Sequence, residues 1–302
     1  MALIVAVCAV ATGLGPHASH VDYLGAMQAK HQRLATLPSP KVVVIGGSAP
    51  AFGIDGAALE AALCRPVVNM ALHADLGFHF MVQEVKDELG EGDLVIVCLE
   101  QDNFSDPEKY TEVIDLAVDR YPRALAFVPW LHRPVVLLRL ATLRLQALWR
   151  MLVRLGRPYP RNLVYAKDAF DDRGDLTGYG IDPEQDSSPL IKEPFDIVLI
   201  GEGFDDVLAE LNEAACGAGA QVVFVWPALA GSNEDAERDR MLQRAMLARN
   251  IPILGDPHMA IFPDSAFLDT PYHIKRWGRA RHTANVIGSL CTAQPAQCCG
   301  GR

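Results

Sequence analysis

A chain of 302 residues, half of them apolar and 21% charged, is long enough to bury a full core as one large domain or two small ones, and it does not have the composition of a disordered protein. Its 37 acidic against 27 basic residues give a formal charge of −10, which disfavours nucleic acid as a partner. Seven cysteines form no CxxC or histidine-spaced zinc pattern, and their odd number argues against a complete disulfide framework, so the redox compartment stays open.

The opening residues, MALIVAVCAVATGLG, are an apolar run of signal-core length, shorter than the ~20 residues a membrane span needs. No basic region precedes the run, and its one Ala-x-Ala match, Ala9-Val10-Ala11, lies inside it. Residues 1–20 are therefore expected to be a signal or, better, an uncleaved anchor, with a buried segment as the alternative. A polar, helical approach from Val21 to Leu34 follows, and then Pro38-Ser39-Pro40 leads into KVVVIGGS, a buried strand that runs into a tight turn.

The chain continues with a short helix over Gly56 to Leu63, a PVVNM strand, a helix from about Leu76 to Leu89, a GEGD turn and the strand DLVIVCLE. After the middle, FDIVLIG reads as a strand or an extended lead-in, and Asp205 to Cys216 as a helix. QVVFVW is then a strand, Glu234 to Arg249 a helix and IPILG a short last strand. Buried strands alternating with helices predict right-handed crossovers and a parallel α/β sheet. A helical run ends near Leu290, and the Gln/Gly-rich residues 291–302, with Cys298 and Cys299, are expected to be a flexible tail.

The stretch from about 106 to 191 is too long for one loop and must carry helices or a subdomain inside a domain spanning 38–290. Arg120 to Lys167 holds nine Arg and one Lys and no acid. Within it, 135–155 has helical spacing, with Arg139, Arg150 and Arg154 on one side and most leucines on the rest. Its arginines argue against a bilayer span. It reads as a cap helix with its Arg side in water, in preference to a helix lying on anionic lipid or one covering an active site.

In an open parallel sheet, ligands bind beyond the carboxyl ends of the strands. Those positions hold Gly46, Gly47 and Ser48; Asn69 with His73 to Gly77; and Glu100, Asp102 and Asn103. A serine on a Gly-flanked strand-to-helix turn is exposed for attack, but it needs a base, a group orienting the base, and donors for an oxyanion. Taken alone, GGS fits an ordinary turn or a phosphate-cradling loop better. Asp269 and His273, four residues apart after the last strand, are a carboxylate and imidazole able to serve Ser48, or else a capping Asp and a surface His. Glu100, an acid ending a buried strand, is expected to point into the cleft. Asn69 is read as satisfying backbone groups and Asp55 as a helix cap. His258 and His282 are read as structural or exposed. His73, Asp75 and His79 could in principle bind metal, but on a helix the two imidazoles would point about 120° apart, and no metal or other cofactor is expected.

The ordered set GGSAPAFGID, VVNMALHADLG, GDLVIVCLE, VVFVWP and FLDTPYHIKRWGRARHT resembles the SGNH (GDSL-type) hydrolases, in particular divergent membrane-anchored bacterial members associated with surface polysaccharides. The likeness covers about 41–102 and 195–290 and leaves the Arg-rich middle unmatched. It implies a three-layer α/β/α, flavodoxin-like parallel sheet with a helical Arg-rich insertion, and ester hydrolysis or acyl transfer through an acyl-serine. By this resemblance Ser48 is the nucleophile, His273 the base and Asp269 its orienting acid, while Ala74 or Gly77 supplies a backbone oxyanion donor. Two departures stand out. The family's Gly-x-Asn-Asp block reads Glu100-Gln101-Asp102-Asn103, so the donor asparagine is shifted to Asn103 or missing. Asp269 and His273 are also one residue further apart than is usual.

The expected function is a serine esterase or O-acyltransferase acting on an acylated glycan or similar ester. The alternative is a catalytically degenerate binding or assembly module of an envelope polysaccharide system. The expected location is extracytoplasmic and membrane-anchored, with a cytoplasmic one as the alternative, and the expected membrane contact runs through the N-terminal segment or the helix 135–155.

Overall fold

The structure, a computed structural model, describes residues 16–18, 22–154, 162, 164–178 and 199–299. All but Pro16–Ala18 of the apolar N-terminal segment, and parts of the Arg-rich middle, lie outside the described residues. Five strands form one parallel sheet: β1 (Val42–Gly46), β2 (Val67–Asn69), β3 (Leu94–Cys98), β4 (Gln221–Val225) and, fifth in the sheet, Ile253–Leu254. Between the last two comes β5 (Leu229–Ala230), so Ile253–Leu254 is β6, and β5 pairs with β7 (Ile261–Phe262) in a small two-stranded sheet. The main sheet runs β2-β1-β3-β4-β6, the flavodoxin-like order, and its switch point lies between β1 and β3.

Every residue of β1 and β3 is buried, as a strand covered on both faces requires. The alternation of the pleat sorts them into two cores. Val42, Val44, Leu94 and Ile96 pack with Leu59, Leu63, Val286 and Leu290. These come from α3 (Gly56–Leu63), which follows α2 (Ser48–Gly53), and from a long C-terminal helix, Arg276–Ala293. On the opposite face, Val43, Ile45, Val95 and Val97 pack with Met27, Leu34, Phe78, Met81, Phe204 and Leu208. Those side chains belong to α1 (Met27–Thr36), to α4 (Gly77–Val85) and to the helix Phe204–Ala218. The result is the three-layer α/β/α arrangement. The remaining helices in chain order are α5 (Asp102–Ser105), α6 (Glu112–Arg120), α7 (Arg133–Val153), α8 (Phe204–Ala218), α9 (Ala236–Leu247) and α10 (Arg276–Ala293).

Local chemistry sets several boundaries. Asp55 caps α3 as expected, its carboxylate accepting from Ala58 N–H at 3.1 Å. Gly203 and Gly219, both left-handed, bracket α8. Of the FDIVLIG run, only Leu199 to Gly201 lie among the described residues; Leu199 and Ile200 form a bend and pack on the core, with no strand there.

Three expectations need correction. The domain does not start at residue 38, because Tyr23, Met27 and Leu34 are part of the main core. Residues 291–299 are not a loose tail: α10 runs to Ala293, Cys291 is bonded to Cys298, and Cys299 to Cys64 beyond the end of α3. Covalent ties replace the packing that the Gln/Gly-rich sequence could not supply. Finally, the arginines of α7 divide: on the side expected to face water Arg150 and Arg154 are exposed, but Arg139 is half-buried 2.9 Å from Asp115, and Arg144, on the other side, is buried with its guanidinium 2.6 Å from Asp119. These two acids on α6 turn α7 so that Val135, Leu138, Leu145, Trp149 and Leu152 are exposed.

Candidate active site

The pairing of β1 with β3 sets Gly46 opposite Cys98. Two residues beyond each strand end, Ser48 and Glu100 therefore meet at the switch point, where Ser48 Oγ lies 3.1 Å from Glu100 Oε1. The turn into α2 depends on Gly47: a Cβ there would fall on the Glu100 carboxyl and 2.7 Å from the Ala74 Cα.

His273 arrives from the other end of the chain. The segment 268–273 folds back on itself, with Leu268 N–H donating to the His273 carbonyl and Phe267 bridging Ile274. This loop absorbs the extra residue between Asp269 and His273, whose Oδ1 and Nδ1 lie 2.7 Å apart. His273 Nε2 is 2.8 Å from Ser48 Oγ, and the imidazole stacks on Phe52 of α2 at 4.2 Å. Ser48, His273 and Asp269 thus form a continuous hydrogen-bonded line, the arrangement that lets a carboxylate fix an imidazole to receive a serine proton. Burial pushes the Asp269 carboxyl up, but the hydrogen bond and charge of His273, with the Tyr165 hydroxyl, outweigh it and hold Asp269 below the usual carboxylate range.

Tyr165 is the member that sequence reasoning missed. Its hydroxyl donates to Asp269 Oδ2 and lies 3.0 Å from His273 Nδ1. It belongs to the Arg-rich middle, and a buried polar knot seats its segment. Asp175 accepts from Gly56 N–H at 2.6 Å and from the Asn69 side chain at 2.9 Å, and it pairs with Arg279 at 3.3 Å. Lys30 donates to the carbonyls of Asn69, Ala71 and Gly174. Asn69, expected only to satisfy local backbone groups, therefore also anchors the loop that delivers Tyr165.

Glu100 is fully buried in the cleft and also accepts from Ala49 N–H at 2.6 Å. Burial, with the charge of Asp102 adding to it, pushes its carboxyl up to about 8 against the pull of the Ala49 and Ser48 bonds. At neutral pH Glu100 is largely the neutral acid, a donor as well as an acceptor.

These groups line a cavity of about 320 Å³ whose walls include Ser48, His73, Ala74, Glu100, Tyr165 and His273. At its rim, Lys109 bridges Asp102 and Asp75, and the two acids raise its ammonium against the opposing effect of burial. Ala74 lines the cavity as expected, but two other expected donors do not. Gly77 is left-handed (φ +79°) because its Cα packs beneath the 107–109 loop, where a Cβ would meet the Pro107 carbonyl and Lys109 N–H. Asn103 is fully buried and its amide donates to the Ala74 carbonyl at 2.8 Å, away from Ser48.

His73 accepts from Asp75 N–H, whereas His79 packs toward Gln83, so the two imidazoles serve different partners. His282 is buried between the carbonyls of Gly53 and Trp226, and His258 pairs with Glu234 on the surface. The GGS turn does not present a phosphate cradle, because a carboxyl group already takes the Ala49 N–H. No protein-family model and no curated protein matches the chain.

Proposed function

We propose that the chain is a serine ester hydrolase or O-acyltransferase of the SGNH type, acting through an acyl-serine. The observation that carries this reading is the 2.8 Å contact from Ser48 Oγ to His273 Nε2, backed by the 2.7 Å contact from His273 Nδ1 to Asp269. As Oγ bonds to the ester carbonyl carbon, His273 takes the hydroxyl proton. It returns that proton to the departing alcohol as the C–O bond breaks, leaving the acyl group on Ser48. Water, or an acceptor hydroxyl, then attacks the acyl carbon with His273 again as base, and Ser48 is released. Asp269 and Tyr165 keep the imidazole oriented throughout. Neutral Glu100, with Oε1 3.1 Å from Oγ, adds no negative charge beside the developing oxyanion, for which the backbone of Ala74 in the cavity wall remains the donor candidate.

An acylated envelope glycan is the substrate class suggested by the sequence resemblance. The disulfides Cys64–Cys299 and Cys291–Cys298 favour an oxidising, extracytoplasmic compartment. A second reading, a binding module that has lost catalysis, is favoured by the diversion of Asn103 and by the Glu100 carboxyl on Ala49 N–H. Short-chain aryl ester hydrolysis and fluorophosphonate labelling, compared with Ser48→Ala and His273→Ala, separate the two. Labelling and turnover lost with Ser48 support the acyl-serine; a folded parent with neither supports the binding module.

A further inference from the structure

The outer face of α7 carries a largely apolar stripe from end to end, interrupted at exposed Thr142. Val135, Leu138, Leu145, Trp149 and Leu152, at helical spacing, are 51%, 58%, 42%, 68% and 58% exposed, and Trp130 and Leu131, just before the helix, are 73% and 64% exposed. The opposite side holds buried Val136, Leu140, Arg144 and Ala147. A soluble monomer rarely leaves so long an apolar stripe in water. Among the described residues no helix is long and apolar enough to cross a membrane, so α7 would lie along a surface and not span one.

Three observations identify that surface. The apolar N-terminal sequence, residues 1–15, joins the described chain at Pro16–Ala18. Ala18 is pinned on α6 and α7, its N–H donating to Asp119 at 2.9 Å and its carbonyl accepting from Arg150 at 3.3 Å. Ala18, three residues after the apolar sequence in the chain, is therefore held beside the part of α7 that carries Trp149 and Leu152. Next, Trp130 and Trp149 stand toward the two ends of the stripe, and tryptophan favours the bilayer interface. Lastly, the stripe lies in the acid-free stretch Arg120–Lys167 of a chain whose overall charge is −10, with Arg123 and Arg150 exposed, a local sign that suits anionic headgroups. A second copy of the chain would bring the same positive stretch against itself.

We propose that the outward face of α7, together with Trp130 and Leu131, is a docking surface for an anionic lipid bilayer, lying in its headgroup region. The inference stands on α7 and does not depend on the acyl-serine reading. The surface also neighbours the cavity rim: His132 stacks on Tyr110 at 4.0 Å and Arg139 donates to the Tyr110 carbonyl, one residue from Lys109.

The test uses the full chain with phosphatidylcholine vesicles, with and without phosphatidylglycerol, carrying brominated acyl chains that quench tryptophan. The expected result is flotation that strengthens with phosphatidylglycerol, together with quenching that is reduced in Trp149→Phe and in Trp130→Phe and largely lost when both are replaced. The double variant Leu138→Glu/Leu145→Glu, at exposed positions, should keep its melting temperature and lose vesicle affinity by about tenfold or more. Flotation with Trp149 unquenched would assign the attachment to residues 1–15 alone and overturn the proposal. A dimer abolished by the double variant, with no vesicle binding, would overturn it in favour of a second copy, and a monomer that ignores vesicles would overturn it outright.

Discussion

The Ser48 hydroxyl has two acceptors within reach, His273 Nε2 at 2.8 Å and Glu100 Oε1 at 3.1 Å, and the proposed acyl transfer uses only the first. Glu100 decides between them through its charge. As the neutral acid it leaves the serine proton to His273; as a carboxylate it competes for that proton and sets a negative charge beside the forming oxyanion.

Because burial raises the Glu100 carboxyl to about 8, ester turnover should fall as pH rises through about 8, and Glu100→Gln should remove that limb from the pH profile. The same group predicts a stability slope that can be read without any substrate. Between its ordinary value of 4.5 and about 8, Glu100 is protonated in the folded chain and ionised in the unfolded one, so stability falls as pH rises across that window. The slope from this one group is about 1.4 kcal/mol per pH unit. Urea unfolding of wild type and Glu100→Gln at several pH values measures it; identical slopes would mean that Glu100 is ionised in the folded protein.

Tyr165 acts through Asp269 and His273, so it is a positioning residue. Tyr165→Phe removes one hydroxyl and should lower kcat by about 10-fold or more, with KM little changed, since a hydrogen bond to a charged group contributes about 1.5–3 kcal/mol. It should also displace the acidic limb of the pH profile, because the hydroxyl helps hold the Asp269 carboxyl down. A purely structural role would instead show as a lower melting temperature with an unmoved profile.

The positions of Ser48 and Glu100 were legible in the sequence because strand ends are legible: β-branched runs ending in Gly46-Gly47 or Glu100 fix where a parallel sheet opens its crevice, whereas only the family resemblance tied His273 to Ser48. The alternation of strand and helix also foretold the layers. Tyr165 was not legible, because the knot that delivers it joins Lys30, Asn69, Asp175 and Arg279, four positions with no local pattern in common. Asn103 was misread for a related reason: a side-chain amide beside a strand end can serve a backbone carbonyl as readily as an oxyanion, and sequence does not say which. The wheel of α7 set Arg139, Arg150 and Arg154 against the leucines, whereas the buried side is Val136, Leu140, Arg144 and Ala147 and most leucines face outward. Buried Asp115 and Asp119 decide that, and they lie on a different helix.

The disulfide Cys64–Cys299 joins residues 235 positions apart and ties the chain end to the edge of α3. Cross-linking so distant a pair restricts the unfolded chain strongly, and losing such a bond typically costs about 2–5 kcal/mol. Cys64→Ser/Cys299→Ser should therefore lower the melting temperature by several degrees, with acyl-serine labelling retained below the transition. Peptide mapping without reductant should recover Cys64 linked to Cys299; free thiols at both positions would contradict the pairing.

Arg144 and Asp119 hold α7 against the domain with both charges out of water, their side chains 9% and 0% exposed. Such a pair does not by itself make a protein more stable, because desolvation offsets most of the attraction, but removing one partner strands the other and costs about 3–5 kcal/mol. Asp119 also accepts from Ala18 N–H, so Asp119→Leu should cost more than Arg144→Ala, and Arg144→Met combined with Asp119→Leu should cost clearly less than the sum of the two single changes. A double-mutant cycle followed by urea unfolding measures the coupling, and additive effects would mean that the two groups do not meet. The pair also fixes which face of α7 looks outward. Any variant that lets α7 roll the arginine side into water must bury Leu138, Leu145 and Trp149 in its place, so a loss of the Arg144–Asp119 coupling should appear together with a loss of vesicle-dependent Trp149 quenching.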